Sequence, residues 1–129
     1  MFPRHILLRS GERTRIRDSG ANGETVTLLH GLTNSLEIWE RVQPLLADRF
    51  RFIAFDWLGF GEASRPDAAY DGSFFADSLA TLLETLDIES THLIGYSMGA
   101  SAILHFVRAI IERAFQRRLA ALDGVCIHS

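Results

Sequence analysis

The sequence predicts an α/β fold in which a mostly parallel β-sheet is flanked by helices. Three apolar runs of strand length, at residues 25–29, 52–55 and 92–94, alternate with segments whose apolar residues recur at helical spacing. Such alternation is typical of right-handed β-α-β units, which build parallel sheets. With 129 residues, 47% of them hydrophobic, residues 1–129 can bury one core and are expected to belong to a single domain.

The first 30 residues predict a hairpin followed by a buried strand. Residues 6–8 and 14–17 flank the turn-forming sequence Ser10-Gly11-Glu12, so they are expected to pair antiparallel. Residues 25–29 are β-branched or apolar throughout, which is typical of a strand buried on both faces. This strand is expected to end at His30-Gly31.

A first amphipathic helix is predicted after this strand. Asn34 followed three residues later by Glu37 is a helix-start signal. The apolar residues that follow at helical spacing are Leu36, Trp39, Val42, Leu45 and Leu46. We therefore expect one continuous helix that ends near Leu46.

The remainder of the chain repeats the alternation of strands and helices. A Gly-rich loop that contains proline, residues 58–72, follows the strand at residues 52–55. The later elements are a helix over residues 75–86, a strand over 92–94, a helix over 102–114 and a short strand over 124–128. Because the chain stops on that last strand, the sheet is expected to be incomplete.

The most specific motif is Gly95-Tyr96-Ser97-Met98-Gly99, which matches G-x-S-x-G at the junction of a predicted strand and a predicted helix. A sharp turn of this kind strains the backbone of its central residue, and glycine at Gly95 and Gly99 leaves no Cβ to collide with neighbouring elements. The following helix points its positive end at the turn, so the Met98 N–H can stabilise an oxyanion. Ser97 is therefore predicted to be an exposed catalytic nucleophile.

A second oxyanion donor is predicted in the loop over residues 30–35. Gly31 is expected to let this loop turn sharply, and the backbone N–H of Leu32 is the candidate donor. His30 is better placed to brace the loop by hydrogen bonding than to act as a base for Ser97.

Three motifs, His30-Gly31, residues 56–64 and residues 95–99, together resemble the α/β-hydrolase superfamily in order and spacing. The branch that they resemble contains single-domain esterases, C–C bond hydrolases and cofactor-free haloperoxidase-like enzymes. The resemblance implies the α/β-hydrolase fold and hydrolytic activity. Serine at the nucleophile position argues against dehalogenases and epoxide hydrolases, whose family chemistry uses aspartate there.

The resemblance also implies roles for individual residues. It implies a nucleophile at Ser97, backbone oxyanion donors at Leu32 and Met98, and structural residues of the neighbouring loop at Asp56, Gly59 and Gly61.

Members of the superfamily continue through further strands, a cap region, an acidic residue and a base histidine near the C-terminus. This chain resembles only their N-terminal portion, and we expect the fold to be truncated after residues 124–128, which resemble the strand that follows the nucleophile helix. His128 therefore comes too early in the sequence to be the base. The other histidines expected to be surface or packing residues are His5, His92 and His105.

Composition and motifs argue against several other classes of function. A formal charge of −3 gives no field that would gather nucleic acid or anionic lipid. The N-terminus lacks a signal-peptide pattern and no segment approaches the roughly 20 apolar residues of a membrane span, so a cytoplasmic location is expected.

Residues 59–64 do not imply a dinucleotide site, because Ser64 replaces the third glycine and Pro66 prevents the required helix. No metal site or other cofactor is expected from a single cysteine without clustered histidines and carboxylates.

The leading hypothesis is a hydrolase that acts on an ester or related small carbonyl substrate by acyl transfer through Ser97. One alternative is a small-molecule receptor or binding module that keeps the scaffold without turnover, since fold does not imply function. Another is that the G-x-S-x-G motif is merely a tight turn before a helix. The chain alone is expected to be an inactive fragment, with its acid and base beyond Ser129. The sequence leaves the substrate and the oligomeric state open.

Overall fold

The computed structural model describes residues 2–120, with side chains described through residue 116. The strands are β1 (Arg4–Leu7), β2 (Arg13–Asp18), β3 (Glu24–Leu29), β4 (Phe50–Phe55) and β5 (His92–Gly95). The helices are a 3₁₀ helix (Leu36–Trp39), α1 (Gln43–Leu46), α2 (Gly72–Thr85) and α3 (Met98–Ala120). The strand predicted at residues 124–128 lies outside the described residues.

One five-stranded sheet runs through the molecule in the order β1-β2-β4-β3-β5. Strands β3, β4 and β5 are parallel, with Thr27 opposite both Ile53 and Leu93, whereas β1 and β2 pair antiparallel as the predicted hairpin. Each parallel pair is joined through helical segments, so the predicted α/β architecture is confirmed. The carboxyl ends of the three parallel strands meet at one edge of the sheet, which is where functional sites form in open α/β sheets.

Side chains alternate between two apolar layers along the central strands, because successive residues of a strand face opposite sides. Leu29 and Phe55 face the layer that contains α2 and α3. Val26, Leu28 and Phe52 face the layer that contains the 3₁₀ helix and α1. Helical segments therefore cover both faces of the sheet, as the sequence predicts.

The continuous helix predicted to end at Leu46 is wrong. The chain forms the 3₁₀ helix and the four-residue α1 instead, and Ser35 rather than Asn34 precedes the first of them, without a side-chain cap. Pro44 explains the interruption, because it has no N–H to donate to the carbonyl of Glu40, and its ring would clash with that carbonyl in one continuous helix. Glu37 also does not cap this helix, since its carboxylate accepts hydrogen bonds from Ser35 and Arg15.

The longer helices begin close to their predicted positions. Asp71 caps α2 by accepting a hydrogen bond from the Phe74 N–H at 2.9 Å, and α3 begins at Met98, directly after Ser97. Strand β5 is less buried than its apolar sequence suggests, because it has a neighbouring strand on only one side among the described residues. Within residues 2–120, no helix has the length and apolar character needed to cross a membrane.

Candidate active site

Ser97 occupies a sharp turn between β5 and α3, with backbone φ of 54°. This left-handed conformation costs a non-glycine residue about 1–3 kcal/mol and persists only where surrounding contacts enforce it. Two hydrogen bonds enforce it here: the Tyr96 N–H donates to the Leu29 carbonyl at 3.0 Å, and the Gly99 N–H donates to the Tyr96 carbonyl at 2.9 Å. Ser97 is exposed, so the predicted geometry of the elbow, with strain and exposure at its centre, is confirmed.

The two glycines of the elbow are required by close approach. A Cβ on Gly95 would lie 2.5 Å from the Ala100 amide nitrogen, and a Cβ on Gly99 would collide with the backbone carbonyls of Leu29 and His30. Real Cβ atoms do not come this close to backbone atoms, so a side chain at either position would push α3 away from β3 or β5. The sequence Gly-x-Ser-x-Gly therefore allows the turn to pack directly on the end of β3.

The loop over residues 30–35 packs against this elbow, but it does not turn at Gly31. The left-handed residue is Thr33, with φ of 64°, and Gly31 is instead needed for close approach to Tyr96. A Cβ on Gly31 would lie 3.0 Å from the Tyr96 ring and 3.1 Å from its carbonyl oxygen. The prediction that Gly31 itself makes the sharp turn is therefore wrong. The loop reverses just after Gly31, where the Asn34 N–H donates to the Gly31 carbonyl at 3.2 Å.

The backbone N–H groups of Met98 and Leu32 have no partner among the described residues. Met98 is the first residue of α3, so its N–H has no acceptor within the helix. The Leu32 N–H donates no hydrogen bond among the described residues, and the Leu32 side chain is exposed. The close contact of Gly31 with Tyr96 brings the loop and the elbow together.

His30 is completely buried and holds the loop in place. Its Nε2 accepts the Trp57 backbone N–H at 3.0 Å, so its Nδ1 carries the proton and donates to the Gly31 carbonyl at 2.7 Å. The Trp57 indole N–H donates back to the His30 carbonyl at 2.9 Å. Burial lowers the pKa of His30, which keeps the imidazole neutral. Both ring nitrogens are engaged, which agrees with the prediction that His30 braces the loop.

The buried guanidinium of Arg15 supports the same loop. Arg15 binds three carboxylates: Asp56 at 2.9 Å, Glu37 at 2.7 Å and Glu62 at 2.5 Å. Asp56, itself buried, also accepts the backbone N–H of Leu36 at 2.8 Å and that of Glu62 at 3.0 Å. Asp56 therefore fixes the point at which the loop over residues 30–35 meets the 3₁₀ helix. This is a structural role, as the family resemblance implies for Asp56.

Arg15 is the main residue of the site region that the sequence does not single out. It lies within the alternating strand β2, where an arginine looks like a solvent-facing residue, and its partners are 22 to 47 positions away in the chain. Burial disfavours the charge of Arg15, but the hydrogen bonds that it donates to Asp56 and Glu37 outweigh this effect and raise its pKa. Burial likewise opposes the charge of Glu37, yet Ser35 and Arg15 lower its pKa. Both shifts favour the charged forms of Arg15 and Glu37, which strengthens their ion pair.

The other described histidines are engaged elsewhere. The observed contacts are His5 with Glu62 at 3.3 Å, His92 with Glu24 at 3.2 Å, and His105 with the backbone of Gly72. Within residues 2–116, the Ser97 hydroxyl makes no hydrogen bond to a histidine or to a carboxylate.

An open apolar cleft lies next to the elbow. It has a volume of about 370 Å³ and is lined by Asn34, Ile38, Trp39, Val42 and Tyr96. The indole N–H of Trp39 is buried and has no acceptor among the described residues. Four of these five lining residues are apolar or aromatic, and Asn34 is the polar one.

Comparison with known proteins places this geometry in a family. Residues 24–113 match the family model described as alpha/beta hydrolase fold. A 2-hydroxymuconate semialdehyde hydrolase of Pseudomonas sp. is 37% identical over 123 residues, which cover 92% of this chain and 43% of that protein. An uncharacterised protein of Mycobacterium tuberculosis is 35% identical over 115 residues, 89% of this chain and 33% of that protein.

Solved structures agree with these sequence matches. The crystal structure of wild-type Cfl2 from Burkholderia cenocepacia superposes with a TM-score of 0.78 at 37% identity, covering 85% of this chain and 37% of that one. The chain thus spans 33% to 43% of the length of these relatives. The match extends over most of the described residues and includes the elbow, so the chain belongs to the alpha/beta hydrolase fold family.

Proposed function

We propose that this chain provides the nucleophile and the oxyanion-binding groups of a serine hydrolase that acts on an ester or related small carbonyl compound. The observation that supports this most directly is the left-handed backbone of the exposed Ser97, held at the start of a helix by two flanking glycines. Strain of this kind persists at functional sites because the strained geometry is useful there.

The proposed reaction is acyl transfer in two steps. The Ser97 Oγ attacks the substrate carbonyl carbon while its proton passes to a general base, and the carbonyl oxygen becomes an oxyanion held by the Leu32 and Met98 N–H groups. Collapse of this intermediate expels the leaving group, which takes up the proton, and leaves an acyl ester on Ser97. Water then attacks the ester, and the acid product and the free serine are released.

The general base and its acidic partner lie outside these 129 residues in this proposal. The chain spans only 33% to 43% of its relatives, and each described histidine is engaged away from Ser97. In this proposal the 129 residues supply only some of the catalytic groups that the reaction needs. Each oxyanion donor in such enzymes contributes about 10²–10³ to turnover, whereas loss of the serine or the base costs about 10⁶.

A second candidate is a small-molecule receptor on the same scaffold. The observation in its favour is the largely apolar cleft of about 370 Å³ next to the elbow, which has room for a small ligand without any reaction at Ser97. Such a receptor would hold a small molecule in the cleft and leave Ser97 unmodified.

Covalent labelling distinguishes the two candidates. A version of this chain extended to the full length of its relatives, which we call the complete enzyme, is treated with a fluorophosphonate probe, which reacts only with activated serines. We expect labelling that disappears in Ser97→Ala and persists in Ser101→Ala, which removes an exposed serine one turn further along α3. Absence of labelling, or labelling that survives Ser97→Ala, would favour the receptor and overturn the proposed nucleophile.

A further inference from the structure

A second cavity lies between β2 and α1, on the side of the sheet that the 3₁₀ helix covers. It has a volume of about 250 Å³ and is lined by Arg17, Glu40, Gln43, Pro44, Ala47 and Phe52. It shares no lining residue with the cleft next to the elbow, and strands β4 and β3 separate β2 from β5 in the sheet. Binding in this cavity therefore does not rest on the function proposed for Ser97.

The polar part of the cavity consists of an arginine and a glutamine that contact each other. Nη1 of Arg17 donates a hydrogen bond to Oε1 of Gln43 at 3.1 Å. This bond sets the orientation of the Gln43 amide and leaves Nε2 as its donor atom. Gln43 is 5% exposed and the Arg17 side chain is 14% exposed, so both polar groups are largely buried.

Two buried donor atoms of this pair have no acceptor among residues 2–116: Nε of Arg17 and Nε2 of Gln43. Such donors are rare in folded proteins, because the hydrogen bonds to water that they lose on burial are not replaced. A ligand oxygen that accepts from them would replace those bonds. The pair therefore favours a ligand that carries acceptor oxygens.

Two other arginines show how guanidinium groups are paired elsewhere in this sheet. Nε of Arg15 donates to Asp56 at 2.9 Å. Nε and Nη2 of Arg51 donate to the two carboxylate oxygens of Asp18 at 3.1 and 2.8 Å. The Nε and Nη2 atoms form the edge of a guanidinium that can hold a carboxylate through two parallel hydrogen bonds. In Arg17 this edge makes no hydrogen bond within the described part of the chain.

Glu40 lies beside this edge of Arg17 without bonding to it. Its Oε1 is 3.7 Å from Nη2 of Arg17, which is beyond hydrogen-bond distance, and its side chain is 56% exposed. A ligand carboxylate that displaces Glu40 into solvent would gain hydrogen bonds that Glu40 does not make. Displacement is also what gives the ligand access to Nε, because that atom is buried.

We propose that this cavity, which we call the Arg17 site, binds a small organic carboxylate. The carboxylate takes the place of Glu40 at the Nε–Nη2 edge of Arg17 and accepts a further hydrogen bond from Nε2 of Gln43. The apolar part of the ligand lies against Pro44, Ala47 and Phe52. The charge of Arg17 supplies the pairing that a largely buried carboxylate requires.

The test titrates the purified, isotope-labelled chain with benzoate, which joins a carboxylate to an apolar ring, and with its neutral counterpart benzamide. Binding is followed by the side-chain N–H signals of Arg17 and Gln43 in two-dimensional NMR spectra. We expect millimolar benzoate to shift both signals. Benzamide should bind at least about tenfold more weakly, because it has no charge to pair with the guanidinium.

Three variants locate the carboxylate. Arg17→Met should lower the affinity for benzoate at least about tenfold. Arg49→Met is the matched control, since Arg49 is an exposed arginine shortly after α1, and it should leave the affinity unchanged. Glu40→Gln, at an exposed side chain, should tighten binding, because it removes the competing negative charge beside Arg17. Circular dichroism checks that each variant remains folded.

Four results would overturn the Arg17 site. The first two are absence of shifts at both side chains and equal affinity for benzoate and benzamide. The third is an Arg49→Met variant that binds as weakly as Arg17→Met, which would indicate general attraction of anions to surface arginines. The fourth is weaker benzoate binding by Glu40→Gln, which would mean that Glu40 is not displaced by the ligand.

Discussion

Arg15 and Asp56 form a buried ion pair, with Nε and Oδ2 2.9 Å apart, that joins β2 to the segment after β4. Asp56 also accepts a hydrogen bond from the Leu36 N–H, which links this ion pair to the 3₁₀ helix. The loop over residues 30–35 is thus attached at both ends, to Asp56 where it meets the 3₁₀ helix and to Trp57 through the hydrogen bonds of His30.

Removal of the Arg15 guanidinium should destabilise the chain strongly. Arg15→Met leaves the Asp56 carboxylate buried without its cation, which typically costs about 3–5 kcal/mol. Urea unfolding followed by tryptophan fluorescence measures the loss. Arg9→Met is the control, because the Arg9 pair with Asp87 is exposed and is expected to contribute less than about 1 kcal/mol. Equal losses in the two variants would show that the buried pair has no special role.

Acid should destabilise the fold through His30. Burial lowers the pKa of this imidazole in the folded chain, so the unfolded chain binds more protons at mildly acidic pH. The stabilisation is fully present above the ordinary histidine pKa of about 6.5 and decreases as the pH falls toward the lower folded value. Unfolding free energies measured from pH 8 to pH 5 should show this slope, and His30→Asn should reduce it. An unchanged slope in His30→Asn would contradict this assignment.

Relief of strain at the elbow should stabilise the chain. Ser97→Gly removes the side chain that makes the left-handed backbone unfavourable and should raise the free energy of unfolding by up to about 1 kcal/mol over Ser97→Ala. Both variants lack the hydroxyl, so both should prevent labelling of the complete enzyme. Thermal denaturation compares them. If Ser97→Gly were the less stable variant, the strain inferred from the φ of 54° would be absent.

The isolated chain should not hydrolyse esters at an enzymatic rate. A serine hydroxyl is a poor nucleophile until a base removes its proton, and oxyanion donors alone leave about 10³–10⁴ over water. The assay follows p-nitrophenyl acetate with the purified chain and with Ser97→Ala. Turnover comparable to that of the complete enzyme, and dependent on Ser97, would mean that one of the five histidines is a base after all.

Local sequence signals were sufficient for the sheet and the elbow. The strands and the longer helices are recognisable because apolar periodicity follows from which face is buried, and the elbow because glycine is required on both sides of Ser97. These features depend on residues close together in the chain. The parallel direction of β3, β4 and β5 is likewise predicted by the alternation of strands and helices.

Features set by distant residues could not be predicted in the same way. The ion cluster around Arg15 exists only because the hairpin places β2 beside β4, and no local pattern distinguishes a buried arginine from an exposed one. The close approach of Gly31 to Tyr96 likewise joins residues that are far apart in the sequence. The interruption of the helix predicted to end at Leu46 is a different case, because Pro44 is a local signal for it.

The Leu29 carbonyl accepts the Tyr96 N–H and also lies against Gly99, so a single peptide group of β3 contacts both arms of the nucleophile turn. The next residue, His30, begins the loop that carries the Leu32 N–H. Ser97 and the loop over residues 30–35 consequently share one attachment point and should move together when the sheet twists. If the proposed function is correct, the distance between the proposed nucleophile and the proposed oxyanion donors stays constant during such motion, whereas the distance to a base on another segment can vary.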